Sequence, residues 1–126
     1  MIGYVTLGCN DIPKAAEFYD ELLAAYGAKR MMENDHMVAW SPSPEIPALA
    51  IIKPADGNDA CVGNGNMVAL ILNTNEKVDA FHARAMELGG TDEGAPGPRG
   101  DNGFYAGYFR DLDGNKLCAF CYSKVG

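Results

Sequence analysis

The chain has 126 residues, enough for one folded domain with a real core, and its hydrophobic fraction of 48% is ordinary for a soluble globular protein. A net charge of −7, with Asp and Glu spread along the chain and no basic stripe, argues against nucleic acid as a partner. No apolar run reaches the roughly 20 residues needed to cross a bilayer, and Met1-Ile2-Gly3-Tyr4-Val5 lacks the layout of a signal peptide, so a cytoplasmic protein without membrane contact is expected.

Tyr4 to Cys9 reads as a strand, followed by the capping residues Asn10-Asp11 and by Pro13, a favoured early-helix residue. From Lys14 to Tyr26, apolar residues recur as Ala15, Phe18, Tyr19, Leu22, Leu23 and Tyr26, the spacing of an amphipathic helix that Gly27 stops. Three short apolar runs follow, Ala28 to Met32, Met37 to Trp40 and Ala48 to Ile52, separated by Asn34-Asp35 and Ser41-Pro42-Ser43-Pro44 as turns. Pro54 to Gly65 is polar and glycine-rich and reads as a linker. The second half opens with a strand from Met67 to Leu72 and a helix from Glu76 to Leu88, ended by Gly89-Gly90. Thr91 to Asp101 reads as mostly loop with one short edge strand. Phe104 to Phe109 and Lys116 to Tyr122 are strands joined by the turn Asp111-Leu112-Asp113-Gly114-Asn115, which lacks the downstream Glu of a calcium loop.

The halves are copies. A shift of 63 positions lays Asn10 and Lys14, then Phe18 and Gly27, on Asn73 and Lys77, then Phe81 and Gly90; Val5 and Leu7 fall on Val68 and Leu70. The chain is therefore expected to be α+β, with two tandem βαβββ modules forming a curved mixed sheet around a cleft. Module 1 spans about 1–57, a linker about 58–65 and module 2 about 66–126. One helix covers only one face of a four-stranded sheet, and two such copies facing each other would enclose the other faces.

Cys118-Ala119-Phe120-Cys121 has the spacing of a redox or metal motif, but it lies in a strand. Residues three apart in a strand point to opposite faces, so the two thiols are read as free, buried cysteines. His36 follows a turn and His82 is the helix counterpart of Tyr19; both read as surface or boundary residues.

Together these stretches resemble the glyoxalase/bleomycin-resistance/dioxygenase superfamily, the vicinal oxygen chelate fold, over essentially the whole chain. The resemblance rests on Tyr4 to Tyr19, on Met67-Val68-Ala69-Leu70 with Val78-Asp79-Ala80-Phe81 and Leu88-Gly89-Gly90, and on Asp111 to Leu117. Metal-dependent members hold a divalent ion with ligands on the first, fourth, fifth and eighth strands. Carried onto this chain, those positions fall on Tyr4, Met67 and Cys118, with no ligand in Ala48 to Ile52. Phenol, thioether and thiol make a poor set for Mn, Fe, Mg or Ni, so neither a metal nor another cofactor is expected.

If the family geometry holds, alternation places Tyr4, Thr6 and Gly8, then Met67, Ala69 and Ile71, then Cys118, Phe120 and Tyr122 along the cleft. Trp40 and Tyr105 or Tyr108 join them, and Arg99 and Arg110 could steer an anionic ligand. These aromatics either fill the space between sheets or bind a small hydrophobic or aromatic molecule. The resemblance implies a small-molecule-binding protein of the antibiotic-sequestering kind, forming a homodimer. The alternative is a lyase or dioxygenase-type enzyme, or one that uses Tyr4 or Cys118 for chemistry without the chelate.

Overall fold

The computed structural model describes residues 1–122. The chain divides into two compact units between Val62 and Gly63. The first unit contains β1 (Tyr4–Gly8), α1 (Ile12–Leu22) running into a 3₁₀ turn (Leu23–Tyr26), β2 (Lys29–Glu33), β3 (Met37–Ser41) and β4 (Ala48–Ile52). The second contains β5 (Val68–Ile71), α2 (Asn75–Glu87), β6 (Thr91–Pro98), β7 (Phe104–Arg110) and β8 (Lys116–Tyr122). Each unit folds its strands into one four-stranded mixed sheet, ordered β1-β4-β3-β2 and β5-β8-β7-β6. In both, the first strand runs parallel to the last and the remaining pairs are antiparallel. The fold is α+β, and the 63-residue repeat is a repeat of topology.

The repeat extends to the helix caps. The Asp11 carboxylate accepts the Lys14 N–H at 3.1 Å, and 63 residues later the Thr74 hydroxyl accepts the Lys77 N–H at the same distance. Two different side chains thus satisfy the same orphan donor. Each helix then stops at a left-handed glycine, Gly27 (φ 68°) or Gly89 (φ 100°). Gly90 is needed for a second reason: a Cβ there would lie 2.8 Å from the Ala85 carbonyl oxygen and 2.9 Å from that of Arg110.

In the first unit α1 packs on β3 and β4, with the Tyr19 ring 5.7 Å from that of Trp40. Asp20 pins this arrangement. Its carboxylate accepts the Trp40 indole N–H at 2.8 Å and two bonds from Arg30, at 2.9 and 2.6 Å. Arg30, more than the indole, holds the Asp20 carboxyl below its usual pKa, against an opposing effect of burial. In the second unit the place of Tyr19 is taken by His82. Its Nε2 lies 3.0 Å from an Asp92 carboxylate oxygen and 3.1 Å from the Tyr108 carbonyl oxygen. Both partners only accept, so Nε2 carries the proton. His82 is buried and ties α2 to β6 and β7, where a boundary residue was expected.

The other departure is β6. An eight-residue strand replaces the expected loop, with register shifts between Asp92 and Gly94 and again between Gly94 and Gly97. Its Gly94, Pro96, Gly97 and Pro98 oppose a regular strand, but β6 lies at the sheet edge, where missing donors and bulges are tolerated. The loop from Asp111 to Asn115 is the expected turn: the Asp111 carboxylate accepts the N–H groups of Asp113 and Asn115, each at 2.9 Å. Among the described residues, no helix is long and apolar enough to cross a membrane.

Two stability predictions follow from these contacts. Gly90→Ala, which forces a methyl group against two carbonyls, should lower unfolding free energy in urea by about 1–3 kcal/mol; an unchanged midpoint would contradict the close approach. The lowered Asp20 pKa means that its contribution is present above the unfolded value near 3.8 and is lost as pH falls through the lower folded value. Asp20→Asn should therefore lose about 1 kcal/mol at pH 7, discounted for partial exposure, and converge with the parent as pH falls through the lowered folded value. Parallel pH–stability curves would rule that linkage out.

Candidate ligand-binding face

Strand alternation and the observed registers sort every candidate residue onto one side of its sheet. In the first unit, Val5, Leu49 and Trp40 share the side that faces α1. Tyr4, Thr6 and Gly8 share the other side with Ala48, Ala50 and Ile52. There Tyr4 is 64% exposed and Thr6 is also exposed. The end of this face is covered by the unit's own chain. A Cβ on Gly8 would stand 3.1 Å from that of Ala60, whose N–H is held by the Asn10 side chain at 2.7 Å. Trp40, placed in the cleft by sequence, is instead buried beneath α1, because its indole N–H finds Asp20 there.

In the second unit, Val68, Leu117 and Phe109 share the side under α2, where the Phe81 and Phe109 rings lie 6.2 Å apart. Tyr105 and Cys121 are on that side too. The Tyr105 hydroxyl donates to Asp79 on α2 at 2.6 Å, and the Cys121 thiol donates to Asn75 at 3.0 Å. The Asp79 carboxylate also raises the Tyr105 pKa, which keeps the phenol protonated. Tyr105 is therefore a link between strand and helix, and Tyr108, its alternative in the sequence reading, stands on the opposite face. That alternation also separates Cys118 from Cys121, as their spacing implied; both are free and buried.

The face away from α2 is aromatic. Phe104, Phe120 and Tyr122 form a cluster with centroids 5.3 to 6.2 Å apart. Ala69 pairs with Cys118 and Ile71 with Phe120, so these residues continue the same surface. Ile71 and Tyr122 are each 62% exposed. Met67 precedes β5 and is exposed, outside the strand ladder.

Cys118 lies opposite Tyr108 in the register and is buried. Burial pushes its thiol pKa up. A hydrogen bond from the Tyr108 side chain and the charges of Arg99 and Lys116 act in the other direction without reversing it. The thiol is therefore neutral near pH 7 and is not an activated nucleophile. Of the two arginines singled out in sequence, Arg110 is neutralised by Glu93 at 2.7 Å. The Arg99 guanidinium lies 5.6 Å from the Tyr108 ring centroid, and the Lys116 ammonium lies 5.4 Å from it. Lys116 drew no notice in the sequence; only its register with Cys118 and Tyr108 gives it a place here.

Tyr4 is exposed on β1, Met67 precedes β5 and Cys118 on β8 has a neutral thiol, while β4 offers only Ala, Leu and Ile. These donors do not fit a hard or borderline divalent ion. Among the described residues, no group of three His, Cys, Asp or Glu side chains could hold a metal. A pocket of about 540 Å³ lies elsewhere, at the ends of β1 and β4, lined by Cys9, Asn10, His36, Lys53, Pro54 and Asn58 among others. None of the sequence-predicted cleft residues lines it.

Residues 1–119 match the family model of the Glyoxalase/Bleomycin resistance protein/Dioxygenase superfamily. A comparison with curated proteins finds no match. Among solved structures, a glyoxalase/bleomycin resistance protein from Albidiferax ferrireducens is 35% identical, with a TM-score of 0.87 over 98% of this chain and 99% of its own. A lactoylglutathione lyase from Agrobacterium tumefaciens (23% identity, TM-score 0.70, 96% and 92% covered) shares the fold. So does a fosfomycin resistance protein from Listeria monocytogenes (17% identity, TM-score 0.73, 98% and 94% covered). The chain belongs to the glyoxalase/bleomycin resistance protein/dioxygenase superfamily.

Proposed function

We propose that this chain is a metal-independent member of its superfamily that binds a small hydrophobic or aromatic molecule, without a chelated ion and without covalent chemistry. The observation that carries this reading is the helix-free face of β7 and β8. It presents three clustered aromatic rings beside Cys118, the residue at the eighth-strand ligand position. Aromatic side chains offer large contact area to a planar or apolar ligand, and their exposed edges supply little that would hold a divalent ion.

Two further parts of the reading rest on charge and on exposed surface. The net charge of −7, with no basic stripe, argues against nucleic acid as a partner. A homodimer is proposed because exposed Tyr4, Met67, Ile71 and Tyr122 leave apolar surface on both units.

The experiment is thermal melting of tag-free protein with Mn, Fe(II), Ni, Zn or Mg. We expect less than about a 2 °C shift with each, because ions without a site give no linkage. A stoichiometric ion that raises the melting temperature would replace this reading with the lyase or dioxygenase alternative. Light scattering of the same preparation should give twice the 13.5 kDa chain mass, and a 13.5 kDa species would remove the dimer.

A further inference from the structure

The net charge of −7 makes unpaired cations conspicuous in this chain, and two of them converge on one ring. Arg99 and Lys116 both lie within 6 Å of the Tyr108 centroid, on the helix-free side of the second sheet. Two arginines of the unit are matched by acids: Arg84 pairs with Glu87 and Arg110 with Glu93. Among the described residues, no carboxylate pairs with Arg99 or Lys116.

Arg99 is also fixed in place. Its Nη1 donates to the carbonyls of Gly97 and Pro98, at 3.0 and 3.3 Å, and its Nη2 to that of Ala95 at 2.7 Å. Bare backbone makes room for this: a Cβ on Gly97 would lie 3.2 Å from Nη1, and one on Gly94 would lie 3.5 Å from Nη2. A guanidinium has five N–H donors, so three carbonyl bonds leave two unused. The Lys116 ammonium donates to no acceptor among the described residues. A half-buried guanidinium whose carbonyl partners are neutral retains its full charge, and the ammonium beside the same ring adds a second. This is the arrangement expected for an anion, since charge-assisted bonds to a preorganised cation are stronger than those to a flexible one.

We infer that Arg99 and Lys116, gathered over Tyr108, form the anion-recognising end of the ligand site. The natural ligand class is then a small organic acid, a carboxylate or comparable anion attached to an apolar or aromatic body. The acid group would sit at Arg99 and Lys116, and the body would extend along β8 toward Phe120, Phe104 and Tyr122. Lys116, Cys118, Phe120 and Tyr122 alternate on one face of that strand, which sets this direction. Neutral Cys118 between the two ends adds no competing negative charge. This inference rests on the small-molecule-binding reading above and adds to it the charge of the ligand.

The test uses two fluorescent probes of one skeleton, anilinonaphthalene sulfonate and its uncharged counterpart phenylnaphthylamine, titrated into the full chain and into Arg99→Gln, Lys116→Gln and the double variant. In the parent, both probes should bind. The double variant should weaken the sulfonate about tenfold and leave the neutral probe within about twofold. Lys116→Arg should restore most of the sulfonate affinity to the single variant, and raised salt should weaken the sulfonate alone. Equal weakening of both probes, or no weakening of the sulfonate, would overturn the anion site while leaving aromatic binding intact. Failure of both probes to bind the parent would overturn the binding reading together with this inference. Melting curves of the variants separate a local loss of charge from unfolding, and Arg99→Gln is paired with Lys116→Gln because only Arg99 is built into the backbone.

Discussion

One helix lies on each four-stranded sheet, and a strand presents its side chains alternately to two faces. From this constraint the rest of the molecule follows. The helix-covered side takes the large buried groups: Tyr19 and Trp40 in the first unit, Phe81 and Phe109 in the second. Every other residue of the same strands is then committed to a side that its own helix does not reach. Tyr4, Ile71 and Tyr122 remain exposed for that reason, while Phe104 and Phe120 of the aromatic cluster on β7 and β8 are half-buried. Burial by the helix and availability for a ligand are two consequences of one alternation.

The two units satisfy this constraint with different chemistry. In the first, Asp20 on α1 collects the Trp40 indole and the Arg30 guanidinium, so that the helix is fastened to β2 and β3 by one carboxylate. In the second, the polarity is reversed: His82 on α2 donates to Asp92 and to the Tyr108 carbonyl. The bond to the Tyr108 backbone matters for the proposed site. It anchors from beneath the residue whose side chain faces Arg99 and Lys116 above. Helix-side packing thus fixes the position of a ring on the other face.

Most of the architecture was legible because its signals are local and repeated. The cap at Asp11, the stop at Gly27 and the boundaries of β4 and β8 can be read directly from residue type and spacing. β6 was not legible, since Gly94, Pro96, Gly97 and Pro98 oppose strand formation and only the neighbouring β7 supplies the missing order. The candidate site was legible where strand register was certain. Cys118, Phe120 and Tyr122 share a face because β8 is a clean alternation, and Ala69 joins them through pairing with Cys118. Trp40 and Tyr105 were assigned to the wrong side. Both bear a polar atom that bonds to an acidic helix residue, Asp20 or Asp79, and such a tertiary contact leaves no trace in a strand's composition. Lys116 was missed for a related reason: a lysine at the start of a strand looks like solvent-facing punctuation until its neighbours across the sheet are known.

The helix-free face of β7 and β8 is proposed to bind a small molecule. The most direct measurement is a titration of isotope-labelled protein with anilinonaphthalene sulfonate, followed by amide chemical shifts. The perturbed amides are predicted to cluster at Ala69, Ala106, Tyr108, Cys118 and Phe120. A cluster around the pocket lined by Cys9, His36 and Lys53, or no localised change at saturating probe, would contradict it.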